Sequence, residues 1–172
     1  MIKLYLCIAI ILLSYLAGYL YTAGYEKRVR HMEGLLNRFQ QIGTQMRYSF
    51  ETLPELFSQV YIREEEPAGM VFAAAAENMR QNTGESFPQI WDRAVRETFT
   101  RTALTESDME TVIQLGSDLG KTDMIQQEKT LEHICGGISA LLDQAKEEQK
   151  RKTKLYRTLF TAGGILIVIL LI

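Results

Sequence analysis

Histidine and cysteine are nearly absent, two of each in 172 residues. His31 and His133 lie in opposite halves of the chain, which is not metal-ligand spacing, and each reads as a surface or partly packed side chain. There is no C-x-x-C, no G-x-S-x-G nucleophile elbow and no His-Cys pairing in sequence. An excess of one charge is lacking too. The formal net charge is −2, so no global field recruits nucleic acid or steers an acidic substrate. Alternation of period two long enough for a strand is missing, as is an Asn-Gly hairpin. The expectation is a protein without enzymatic activity, cofactor, metal or nucleic-acid partner.

What is present is unevenly placed. Leu4 to Tyr25 and Thr158 to Ile172 contain no charged residue. At about 1.5 Å per residue the first run is about 33 Å long, enough for a hydrocarbon core of about 30 Å. A signal peptide is the alternative, but only Lys3 precedes the run, and neither an A-x-A site nor a lipobox around Cys7 follows. The second run is about 22 Å, or about 27 Å with Leu155, Tyr156 and a snorkelling Arg157. Its alternative is a buried core helix. The pattern predicts an N-terminal transmembrane helix over 1–25, a helical bundle over 26–154 and a C-terminal transmembrane helix over 155–172.

Lys27, Arg28, Arg30 and Arg38 follow the first run, and Lys146, Lys150, Arg151, Lys152, Lys154 and Arg157 precede or enter the second. Both positive ends fall beside the middle segment, which the positive-inside rule puts in the cytoplasm. Cys7 in the apolar run and Cys135 in a helical stripe make a disulfide unexpected, as in a reducing compartment. The run Lys150–Arg157 is expected to meet anionic headgroups. Glu64-Glu65-Glu66 reads as a solvated helix end, with a contact for a basic partner as the sharper alternative. In the membrane segments Ser14, Gly18 and Thr22 recur every four residues, and Thr158, Ala162, Gly163 and Gly164 offer a second set of small residues. Small stripes let membrane helices approach, within one chain or between subunits.

The middle segment is a series of helices with apolar faces, so the fold class is all-α, an antiparallel helical bundle flanked by transmembrane helices. The first apolar helix continues to about Phe50. Thr52-Leu-Pro-Glu55 is a capping box with Pro54 in the first turn, and the helix it opens runs to about "REEE". Pro67 opens a helix rich in small residues. Thr83-Gly84 breaks the chain, Ser86-Phe-Pro-Gln89 caps the next helix, and Thr105-Glu-Ser-Asp108 caps a fifth. The last helix starts near Thr122–Asp123 and has no stop signal before Ile172, although Gly136-Gly137 leaves its straightness open.

One stretch, "GSDLGKTD" (116–123), is one residue short of a phosphate loop. That loop needs its full spacing and a preceding buried strand, whereas "METVIQLGSDL" is helix-periodic. The stretch reads better as a corner. Gly120 ends one helix in the left-handed conformation, Thr122 or Asp123 caps the next, and Gly116 sits in the fifth helix for a close backbone contact. An NTP-binding membrane protein using Lys121 and Thr122 is the competing reading.

On these residues the chain resembles stage III sporulation protein AB over essentially its whole length. The specific pieces are L-G-x-x-L-G-x-[ST]-D-x-x-x-Q from Leu115 to Gln127, the corner Thr52-Leu53-Pro54-Glu55, and the basic segment running into a short terminal membrane helix. Pro67 to Thr105 adds only helix pattern, and Gly136-Gly137 is not part of the resemblance. The resemblance implies a soluble region similar to the cytoplasmic domain of the type II secretion platform protein F. It implies a non-enzymatic platform subunit in the mother-cell membrane facing the forespore, within a secretion-like channel complex of endospore formation. Implied partners are the membrane, other sporulation channel subunits, the secretion-type ATPase stage III sporulation protein AA, and a second copy in a homo-oligomer. A membrane-tethered adaptor or sensor outside any secretion machine is the alternative.

Overall fold

Segments of helical period separated by capped corners fold into six α-helices and, among the described residues, no strand. The structure, a computed structural model, describes residues 2–48, 51–60, 67–81, 84–119 and 124–171. In chain order the helices are α1 (Ile2–Tyr48), α2 (Leu53–Gln59), α3 (Pro67–Arg80), α4 (Phe87–Phe99), α5 (Glu106–Gly116) and α6 (Met124–Leu171). They form two compact units. One comprises residues 1–29 and 144–172, the other residues 30–143.

Local sequence chemistry explains the short helices. Thr52, Ser86 and Thr105 are N-caps in extended conformation, each answered by the N3 side chain of a capping box. The Glu55 carboxylate accepts the Thr52 amide (2.8 Å) and hydroxyl (2.9 Å), and Gln89 serves Ser86 in the same way (2.9 Å for each). At Thr105 the hydroxyl also accepts the Asp108 amide at 3.2 Å. These contacts satisfy donors that a helix start leaves without an intrahelical partner. The expected continuation of α2 to "REEE" (63–66) lies outside the described residues; the helix itself ends at Gln59.

The 30–143 unit has an aromatic centre. Phe39 of α1, Phe57 of α2, Phe72 of α3 and Trp91 of α4 are all 0–1 % exposed. Their ring centroids lie 5.0 to 6.1 Å apart, mostly edge to face, the arrangement that ring quadrupoles favour. Trp91 Nε1 donates to the Val112 carbonyl at 3.1 Å, so its buried polar atom is satisfied. Gly116 makes this possible. A Cβ there would stand 2.2 Å from Trp91 Nε1. The close contact expected of Gly116 is with an indole, and the residue is the last of α5.

Gly137 has a comparable role. Its Cβ would lie 2.6 Å from a Leu115 methyl, so α5 packs a side chain into the space that glycine leaves. The helix runs unbroken through Gly136-Gly137.

Two polar side chains on α1 tie down chain ends that periodicity does not reveal. Arg38, 9 % exposed, donates to the Val60 carbonyl at the end of α2 at 2.5 Å. His31 Nδ1 accepts the Ala103 amide at 2.8 Å, holding the link between α4 and α5. Among the described residues no group of three His, Cys, Asp or Glu side chains could hold an ion.

Candidate functional site

Residues 1–29 and 144–172 form an antiparallel helix pair whose partners advance in opposite directions. Gly164 faces Ser14, Phe160 faces Gly18, Tyr156 faces Tyr21, and Glu148 pairs with Arg28. A Cβ on Gly164 would approach Ser14 Oγ to 2.6 Å, and one on Gly18 would come within 3.2 Å of Phe160 Cβ. Thr22 is 4 % exposed and donates its hydroxyl hydrogen within its own helix, to the Gly18 and Tyr19 carbonyls at 3.2 and 3.0 Å. That bond removes the polar cost of burying the hydroxyl. Ser14, Gly18 and Thr22 therefore share one face, as their spacing suggests.

The second helix presents a different set from the one its sequence suggests. Gly164 is buried, while Ala162 and Gly163 are exposed, with nothing within 4 Å of a Cβ on Gly163. Phe160 takes the place opposite Gly18. The seam sets small against small at Ser14 and Gly164 and small against large at Gly18 and Phe160, so it is not two smooth stripes. Composition could not separate Gly163 from its neighbour, because helical phase decides which glycine turns inward.

Both helices are long and apolar enough to cross a membrane. Their outer faces carry bare apolar side chains, among them Leu12, Leu13, Leu20, Leu166, Ile169 and Leu170, each 60 to 79 % exposed. Such a continuous apolar band has no counterpart on an ordinary soluble surface. Tyr21 and Tyr156 meet with centroids 4.5 Å apart. Lys150, Arg151, Lys154 and Arg157 are exposed and Lys152 is half-buried. The Arg28–Glu148 pair, at 2.6 Å, closes the seam at its charged end.

In the 30–143 unit, Thr52 caps α2, Pro54 stands in its first turn, and Glu55 answers the cap. The two hydrogen bonds from Thr52, backbone amide first and hydroxyl second, hold the Glu55 carboxyl below the ordinary glutamate value. Cys135 is half-buried; burial first, then the charge of Glu132, pushes its thiol up. Gly120, Lys121, Thr122 and Asp123 lie outside the described residues. The segment before them is α5 followed by Ser117–Leu119, helical where a phosphate loop requires a strand. Arg38 and His31 had no signal in the sequence, since their partners are backbone groups 22 and 72 residues away.

A family model described as stage III sporulation protein AB matches residues 3–172. A stage III sporulation protein AB of Bacillus subtilis (strain 168) is 22% identical over 171 residues, covering 99% of both chains. A solved structure of a stage III sporulation protein AB shares the fold, with a TM-score of 0.64 and 20% identity over 73% of this chain and 98% of that one.

Proposed function

The chain belongs to the stage III sporulation protein AB family, and from this premise we propose that it is a non-enzymatic platform subunit of a secretion-like channel complex in endospore formation. Its two apolar helices cross the mother-cell membrane as a hairpin. The bundle between them lies in the cytoplasm, docking a secretion-type ATPase and neighbouring membrane subunits. The antiparallel pair with a bare apolar band and a cationic end carries the reading. Lipid satisfies the band, and the cations take the cytoplasmic side. Among the described residues no group of three His, Cys, Asp or Glu side chains could hold a metal ion, which is compatible with a docking role.

The experiment is a binding measurement on the full chain in lipid nanodiscs with the ATPase of the same complex. Saturable binding that is lost when residues 30–143 are replaced by an unrelated helical bundle is expected. Binding that survives the replacement, or none at all, overturns the platform role. ATP alone should leave the melting of the chain unchanged; a shift would favour the NTP-binding alternative.

A further inference from the structure

Within the 30–143 unit, α1 and α6 leave an open groove of about 260 Å3, floored by Phe39, Gly43 and Leu131 and rimmed by Arg47, Glu128 and Glu132. That is below the roughly 300–1,000 Å3 of a small-molecule pocket and suits a side chain or two from another protein.

Gly43 keeps the floor open. A Cβ there would meet its nearest neighbour, a Leu131 methyl, only at 4.0 Å, an ordinary contact. Gly116 and Gly137 are required by internal packing; Gly43 is not. A glycine inside a helix is nonetheless less favourable than alanine. The α1 wall of the groove is thus bare at Gly43 in a way that internal packing does not demand.

Charge identifies the occupant. Arg47 pairs with Glu128 through Nε and with Glu132 at 3.2 Å, so one guanidinium faces two carboxylates. All three side chains are 40 to 67 % exposed, and exposed ion pairs exchange partners at little cost. The surplus extends to the whole unit. Residues 30–143 carry 10 Lys and Arg against 18 Asp and Glu, a net −8, whereas residues 1–29 and 144–172 carry 9 against 3, a net +6.

We propose that this groove docks a basic amphipathic helix of a partner protein. An apolar side chain of the helix seats on Gly43 and Leu131, and its Lys or Arg side chains pair with Glu128 and Glu132. A groove between two helices is the natural bed for a third, and the glycine lets its backbone come close. The 30–143 unit of a second copy would bring −8 against −8. The proposal deepens the platform reading and rests on it for the presence of a partner.

The test places the photo-crosslinker p-benzoylphenylalanine at Thr44, exposed on the groove wall, in the full-length chain in native membranes during sporulation. Glu110, exposed on α5, is the control position. Crosslinked peptides mapped by mass spectrometry are expected to be net positive, with apolar residues at helical spacing. Glu128→Lys with Glu132→Lys should lower the Thr44 yield at least fivefold, and Gly43→Leu should do the same without changing any charge. Glu97→Lys, an exposed reversal elsewhere on the bundle, should leave it unchanged. The charge reversals touch no core residue, so the test stands even if Gly43→Leu fails to fold. A crosslink to an acidic segment or a second copy, none at all, or a yield indifferent to the charge reversals overturns the proposal. If ATPase binding persists while the groove is silent, the groove assignment falls and the platform reading stands. A basic helix captured from a protein outside the complex gives the reverse.

Discussion

At Gly116 an added methyl would stand inside the Trp91 ring, so Gly116→Ala is expected to destabilise the bundle by roughly 1–3 kcal/mol through overpacking. Gly43→Ala meets only an ordinary contact in a helix interior and should raise stability by about 0.4–1 kcal/mol. Thermal melts of the full chain in detergent distinguish them; shifts of the same sign would contradict the packing around Trp91. Glu55 offers a titration. Its carboxyl sits below the ordinary glutamate value, so the Thr52 corner is fully supported above that ordinary value and loses support as pH falls through the depressed one. NMR should find Glu55 titrating below the ordinary glutamate value, with amide exchange of α2 rising as it protonates. A Glu55 that titrates at the ordinary value would remove the reciprocal cap. Cys135, pushed up by burial, should alkylate more slowly at neutral pH than a small free thiol, and faster as pH rises.

Among elements, the three short helices after capping boxes were the most legible, because a cap and the residue that answers it lie within four residues of one another, with a proline beside the cap in α2 and α4. The long helices were legible as lengths, but their mates were not. Phe160 opposite Gly18 and Leu115 over Gly137 depend on phase and on partners far along the chain, which one sequence does not encode locally. Gly136-Gly137 left the straightness of α6 open for the same reason: a glycine that receives a neighbour and one that ends a helix are written alike. The hairpin gives a prediction at this scale. Paired cysteines at Ser14 and Gly164 should form a bond within one chain readily, whereas cysteines at Gly18 and Gly163 should do so poorly, since Gly163 faces outward. Bonds found only between chains would assign the stripe to an oligomer. Gly164→Leu should separate the pair; an assembly unchanged by it would leave Ser14 and Gly164 without a packing role.

Over the whole molecule, the sequence already contained the segregation of charge that underlies both proposals, −8 on one unit and +6 on the other. It did not contain the groove, which exists only once Phe39 and Leu131 meet from opposite ends of the chain. The central claim is that the acidic unit faces the cytoplasm, tethered by two helices whose cationic ends lie on that side. It can be measured with one cysteine at Glu110, exposed on α5, in a chain lacking Cys7 and Cys135. Membrane-impermeant maleimide should leave this cysteine unlabelled in intact cells and label it fully after lysis. Labelling in intact cells would put the bundle on the outer side and contradict the account.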